Sequence, residues 1–132
     1  MSTELDLAAS AVSPAGFVPD IFDPREALQR TCDDLDLLAE LAELFAENRD
    51  QLLDSLSDAV SEGHAENVDR AAHALKGSIS TFTTLRPYHL ARELEFCGKE
   101  QRLEAAGQLL AALKSSLREL EAAVQNYLNS AR

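Results

Sequence analysis

The sequence is poor in aromatic residues, proline and glycine. It has no Trp, aromatic residues make up 5% of it, and only 4 Pro and 5 Gly occur among 132 residues. Leu, Ala and Glu dominate instead. Because Ala and straight side chains lose little freedom in a helix, this composition favours an all-α fold. The length suits one domain with one hydrophobic core.

Cysteine and long apolar runs are also scarce. The two cysteines, Cys32 and Cys97, are far apart and form no CxxC pair. No stretch approaches the roughly 18 consecutive apolar residues that a membrane span needs. The first ten residues lack a basic segment followed by an apolar run, so they do not resemble a secretory signal. We therefore expect a cytoplasmic protein with two free thiols.

Basic residues are outnumbered by acidic ones. The chain has 12 Lys and Arg against 23 Asp and Glu, which gives a formal net charge of -11. Contacts to nucleic-acid phosphates need clustered Lys and Arg, and an anionic membrane surface attracts the same residues. The excess of negative charge therefore argues against a nucleic acid or an anionic membrane as a partner.

The chain divides into a predicted tail, residues 1–22, and a helical domain, residues 23–130. Pro14, Gly16 and Pro19 predict a largely irregular tail. The apolar residues from Phe17 to Phe22 are expected to pack the end of the tail onto the domain, where they either seal the end of the bundle or contribute to a docking surface for a partner. Helices are predicted at about residues 24–30, 34–61, 65–83, 87–98 and 101–128.

Residues at the helix ends support these boundaries. Asp23 can cap the first helix, with Pro24 in its first position. Thr31 or Asp33 is the predicted cap of the second helix. Gly63 and Gly98 are placed to end the second and fourth helices.

Apolar residues in the four longer helices recur at intervals of three and four. The last helix has the most regular spacing, through Leu103, Leu110, Leu117 and Val124. Such stripes pack helices against one another at shallow angles. With short links, they predict an antiparallel up-down four-helix bundle with a short extra N-terminal helix. We interpret the leucines of the last helix as core residues first and as a dimer seam only second, so we expect a monomer.

Motifs for nucleotide or metal binding are missing. The sequence contains neither GxxxxGK[ST] nor GxGxxG, and no Glu-x-x-His pair marks a carboxylate-bridged metal site. Three His and two Cys without ligand spacing do not predict structural zinc. No segment resembles a nucleophile elbow.

The third predicted helix carries the candidate site. At 100° per residue, His73 lies about 140° to 150° from the centre of the apolar stripe, and therefore near the solvent face. Lys76 and Gly77 follow one turn later, and Ser80 lies one turn beyond them. Asp69 precedes His73 by one turn and could orient its ring, although a solvated carboxylate is the simpler interpretation.

This arrangement suits phosphoryl chemistry. An exposed imidazole is a competent nucleophile near neutral pH. Lys76 could stabilise the negative charge that a phosphoryl group adds. Gly77 costs roughly 1 kcal/mol in mid-helix relative to Ala, so a need for bare surface beside His73 would explain it. A solvated histidine with an ordinary lysine neighbour is the alternative interpretation.

The segment Ala72-His73-Ala74-Leu75-Lys76-Gly77-Ser78 resembles the HxLKGS signature of histidine-containing phosphotransfer (HPt) domains. The preceding residues, in DRAAHALKG, and LARELE at Leu90 to Glu95 are also similar to that family. So is the order of the predicted helices, from about residue 20 to residue 130.

The resemblance implies that His73 is the phospho-accepting residue, with Lys76 stabilising the phosphoryl charge and Gly77 clearing space for a partner. The implied partners are receiver domains of a hybrid sensor kinase, of a response regulator, or of both. It implies a carrier without an ATP site, no cofactor of its own, and Mg²⁺ only in the receiver's acidic pocket. Family members often have Gly-Ala where this chain has Thr83-Thr84, which predicts a different turn after the third helix.

Two other functions remain as alternatives. A helical adaptor could bind a receiver or kinase without carrying phosphate, although it would need none of His73, Lys76 and Gly77 together. A metal-dependent bundle enzyme lacks ligands. Among the other histidines, His64 is interpreted as a linker or capping residue and His89 as a surface or packing residue.

Overall fold

The computed structural model describes residues 14–131. Within them the chain forms five helices, numbered in chain order: α1 Pro24–Arg30, α2 Leu35–Glu62, α3 Ala65–Ile79, α4 Arg86–Lys99 and α5 Ala106–Ala131. Residues 14–131 contain no strand, and Val18 and Phe22 form only an isolated antiparallel bridge. The prediction of an all-α fold is confirmed.

The four longer helices surround one core. Helix α2 packs against α3, α3 against α4, α4 against α5, and α5 against α2, while α1 lies against α2. Inward leucines on all four helices are fully shielded, among them Leu38, Leu75, Leu94 and Leu117. This cyclic order is that of a four-helix bundle with short connections between consecutive helices.

The caps of the first two helices follow the sequence with one correction. Asp23, which directly precedes Pro24, caps α1 by accepting a hydrogen bond from the Arg25 amide. Gly63 ends α2 with a left-handed φ of 68°. The cap of α2 is Asp34, whose side chain accepts from the Leu37 amide at 3.0 Å. Thr31 cannot serve as that cap, because its buried hydroxyl donates to the Ala27 carbonyl.

The predicted end of α3 at Thr83 was wrong, because the helix ends at Ile79. The hydroxyl-bearing residues that follow bond locally instead of continuing the helix. Ser80 donates to the Gly77 carbonyl at 2.7 Å, and Thr83 accepts from the Leu85 amide at 3.0 Å. Phe82 still reaches the core from this turn, which is why its spacing looked helical.

The predicted start of α5 at Gln101 was also wrong, because the helix begins at Ala106. Gln101 takes a positive φ of 55°, and the Arg102 amide donates to the Cys97 carbonyl at 2.9 Å. The positive φ and this hydrogen bond turn the chain back on itself between α4 and α5. Leu103 packs against the core from this connection, so it extends the apolar spacing without being helical.

Gly98 does not end α4, which continues to Lys99. It lies instead where α4 crosses the backbone of α3. A Cβ atom there would be 2.5 Å from the Asp69 amide nitrogen and 2.7 Å from the Ala65 carbonyl oxygen. Glycine at this position therefore allows the two helices to approach closely.

The end of the predicted tail packs onto the bundle. Ile21 and Phe22 are buried, and the Phe22 ring meets Tyr127 edge to face. Gly16, with φ of 84°, lies so close to Tyr127 and the Ala123 carbonyl that no Cβ atom would fit. The prediction for residues 1–13 lies outside the described residues, and the domain boundary near residue 22 stays a prediction.

Over residues 14–131, no helix combines the length and apolar character that crossing a bilayer requires. Both cysteines are free thiols, with Cys32 exposed and Cys97 partly buried. Burial, together with Glu93 and Glu104, raises the pKa of the Cys97 thiol.

Candidate functional site

His73 lies on the outward face of α3, as its rotation from the apolar stripe predicted. Its side chain is 68% exposed, whereas the neighbouring Ala72 and Leu75 are buried in the core. The exposed ring is therefore open to a visiting protein.

Glu95 of α4 holds the His73 ring. The Nδ1 atom of His73 lies 2.6 Å from Oε2 of Glu95, whose side chain is only 7% exposed. An ionised carboxylate can only accept, so this bond requires the proton to be on Nδ1. The lone pair is then on Nε2, for which residues 14–131 supply no hydrogen-bond partner.

Two lysines surround the same carboxylate. Nζ of Lys76 donates to Oε1 of Glu95 at 2.7 Å, and Nζ of Lys99 lies 3.7 Å from Oε2. Lys99 also donates to Oδ1 of Asp69 at 3.1 Å. Asp69 therefore bonds to Lys99, and the group that orients His73 is Glu95.

Glu95 is ionised at neutral pH. Burial alone raises the pKa of its carboxyl group, but the hydrogen bonds from Lys76 and His73 outweigh it, so the pKa lies below its ordinary value. The stabilisation from this lowered pKa is present above the ordinary pKa of a glutamate and is lost as the pH falls through the folded-state pKa. Near neutral pH the site therefore holds a fixed negative charge beneath the imidazole.

Gly77 leaves bare surface next to His73. No atom of another element lies within 4 Å of the position that a Cβ would take. A depression between α2 and the end of α3 is lined by Leu41, Leu44 and Ser78, the residue that follows Gly77. Leu44 is among the exposed large apolar side chains of the described residues.

Ser80 is one turn beyond Lys76 and Gly77, as predicted, at the end of α3. Because its hydroxyl proton is donated to the Gly77 carbonyl, Ser80 is not oriented as a donor toward His73. The structure thus brings His73, Lys76 and Gly77 together, with Ser80 at the edge of the group.

Glu95 is a site residue that the sequence pattern did not reveal, although it lies in the LARELE segment. A signal was present. Glu95 follows the buried Leu94 and lies four residues after the buried Ala91, so it occupies the inward face of α4. A carboxylate at an apolar position needs a charged or hydrogen-bonded partner.

The Thr83-Thr84 pair has a local role in the turn after α3. The amide and hydroxyl of Thr84 both donate to Oε1 of Glu26, each at 3.3 Å. Thr83 is fully buried. The threonine pair that replaces the usual Gly-Ala therefore links α1 to the turn after α3, away from His73.

The other two histidines have structural positions. His64 caps α3, with Nδ1 accepting from the Asn67 amide at 3.4 Å, as predicted. His89 lies in the first turn of α4 with its ring against Tyr88. Residues 14–131 contain no cluster of three or more His, Cys, Asp or Glu that could hold a metal ion.

A family model described as the Hpt domain matches residues 40–123, which is more than half of the chain and includes His73, Lys76, Gly77 and Glu95. The curated proteins and the solved structures gave no match. Hpt domains are helical phosphocarrier domains of two-component systems, which interact with receiver domains and are not kinases. The chain belongs to the Hpt domain family.

Proposed function

We propose that this protein relays a phosphoryl group between the aspartates of receiver domains, carrying it on Nε2 of His73. The observation behind the proposal is the bond from Nδ1 of His73 to the buried Glu95, which leaves Nε2 as an exposed nucleophile. The donor would be the receiver of a hybrid sensor kinase and the acceptor that of a response regulator, or the reverse.

The transfer is an in-line displacement at phosphorus. The Nε2 lone pair forms the N–P bond while the bond from phosphorus to the receiver's aspartyl oxygen breaks, and its electron pair leaves with the carboxylate. Nδ1 keeps its proton, so the phosphorylated ring becomes positively charged. Glu95 stabilises that charge at 2.6 Å, and no proton has to move during the step.

Lys76 supplies positive charge beside the phosphoryl oxygens, from one turn along the same helix. Gly77 gives the receiver room to approach, and Ser80 belongs to the surface the receiver covers. We propose that the chain needs no cofactor of its own and that Mg²⁺ is held by the receiver.

The receiver would cover His73 and the neighbouring apolar surface of α2. Leu44 and the depression between α2 and α3 supply apolar contact area beside Gly77, with polar residues around it. Most leucines of α5 are buried inside the bundle, among them Leu113, Leu117 and Leu120, so we propose that the protein acts as a monomer.

Transfer from a radiolabelled phosphoreceiver tests the proposal. Label should leave the receiver and appear on this protein as an acid-labile, alkali-stable phosphate, and a second unlabelled receiver should then take it. Binding of the receiver without transfer of label would contradict the relay and favour the adaptor.

Glu95→Gln should slow transfer without preventing receiver binding. Glutamine can still bond Nδ1, but it has no charge to balance the cationic ring, so we expect a loss of about 10- to 100-fold in rate. Single-turnover transfer at several concentrations separates the rate within the complex from affinity. Glu93→Gln, on the exposed side of α4, is the matched control. An unchanged rate within the complex would show that the charge has no part in transfer.

Glycine at position 77 should lower the stability of α3 while leaving room for the receiver to approach His73. Because nothing surrounds its Cβ position, Gly77→Ala should raise the free energy of unfolding by roughly 1 kcal/mol. A large side chain in Gly77→Phe should also fold but should slow transfer by blocking the receiver. Gly107→Ala is a control, since Gly107 is equally open in α5. Undiminished transfer by Gly77→Phe would contradict the proposed role in access.

A further inference from the structure

Lys76 is already engaged in the unphosphorylated protein. Its Nζ atom lies 2.7 Å from Oε1 of Glu95, and its side chain is only 21% exposed. A phosphoryl group on Nε2 of His73 would carry its negative charge on the outer side of the ring. Lys76 would reach that group by turning away from Glu95 on its flexible stem.

The departure of Lys76 would leave Glu95 short of positive charge. Its carboxylate is 7% exposed, and a buried carboxylate that loses its cation is costly. The His73 ring would remain on Oε2 at 2.6 Å, with Lys99 at 3.7 Å from the same oxygen, while Oε1 would lose its donor. The phosphorylated ring is itself a cation, and a second cation close to the carboxylate would replace the partner lost from Oε1 and keep Glu95 in place to orient the ring.

Lys99 is placed to supply that cation. It lies four residues after Glu95 on α4, with Nζ 3.7 Å from Oε2 of Glu95, and its side chain is 53% exposed. Its stronger bond in the present state, at 3.1 Å, is to Asp69 of α3. The flexible stem of a lysine can close the remaining distance with little rearrangement.

We infer that Lys99 is a positioning residue that takes over the Glu95 carboxylate when Lys76 turns to a phosphoryl group on His73. Asp69 keeps Lys99 beside Glu95 until then. The inference rests on the proposed role of His73 as phosphoryl carrier. It assigns Lys99 no contact with the phosphoryl group, because it acts through Glu95.

The chain offers a direct spectroscopic test, because Lys76, Lys99 and Lys114 are its only lysines. The protein is phosphorylated with phosphoramidate, which gives its phosphoryl group to histidine and releases ammonia. NMR couplings between lysine Nζ and the Glu95 carboxyl carbon then report which ammonium is bonded. We expect coupling to Lys76 before phosphorylation and to Lys99 afterwards. Persistent coupling to Lys76, with His73 phosphorylated, would overturn the inference but leave the carrier function intact. Failure to phosphorylate His73 would overturn both.

A mutant cycle gives an independent readout, the equilibrium ratio of phosphorylated protein to phosphorylated receiver. Lys99→Met should shift this ratio toward the receiver by about three- to fivefold, the size expected for a partly exposed ion pair. Lys99→Arg should restore it, and Lys114→Met should leave it unchanged. In a Lys76→Met background the effect of Lys99→Met should disappear, because Lys99 then has no Lys76 to replace on the Glu95 carboxylate. A shift of equal size in both backgrounds would contradict the replacement of Lys76 by Lys99.

Discussion

His73→Gln should lose all phosphoryl label after incubation with a phosphorylated receiver, while the protein stays folded. Glutamine has no imidazole nitrogen with which to attack phosphorus, and no other histidine of the described residues has a carboxylate on its ring. The ring is 68% exposed but bonds to the buried Glu95, so its removal should lower the free energy of unfolding by about 1 to 3 kcal/mol. Autoradiography and thermal unfolding measure the two effects.

The matched control for that experiment is His89→Gln. His89 is also an exposed histidine on a helix, but its ring lies against Tyr88 and has no acidic partner among the described residues. It should label like the natural protein. If His73→Gln labels as strongly as His89→Gln, the phosphoryl group is carried elsewhere.

Gly98→Ala should be the most destabilising small substitution near the site. The added Cβ would meet backbone atoms of α3, at 2.5 Å from the Asp69 nitrogen and 2.7 Å from the Ala65 oxygen, and backbone cannot move aside as a side chain can. We expect a loss of about 3 kcal/mol in the free energy of unfolding, at the upper end for overpacking. Denaturant titration measures it.

The same substitution should also disturb the site. Separation of α4 from α3 would lengthen the bond between Glu95 and His73, because each residue is on one of these helices. The folded fraction of Gly98→Ala should therefore transfer phosphate more slowly. Gly107→Ala is the control, since its Cβ meets nothing within 4 Å. A midpoint equal to that of the natural protein would show that the helices do not need this close approach.

The fold was largely predictable because helical periodicity is a local signal. The apolar spacing of α2 and α3 indicated which faces are buried, and it placed His73 on the opposite face. The signal failed where apolar residues pack from turns. Phe82 and Leu103 continue the spacing of α3 and α5, yet both lie outside the helices.

The candidate site was predictable only for the residues on one helix. His73, Lys76 and Gly77 are neighbours through the helical repeat alone. Glu95 and Lys99 reach the site from α4, and their contacts depend on how closely two helices approach. Gly98 sets that approach, but in the sequence it has the position of a helix stop, so its role was visible only in three dimensions.

The central claim is that Nδ1 of His73 is held by Glu95 and that Nε2 receives the phosphoryl group. It is tested most directly by correlating ¹⁵N, ³¹P and ¹H signals of the His73 ring after transfer from a phosphorylated receiver. We predict phosphorus bonded to Nε2 and a proton retained on Nδ1. Phosphorus on Nδ1, or on any other side chain, would contradict it.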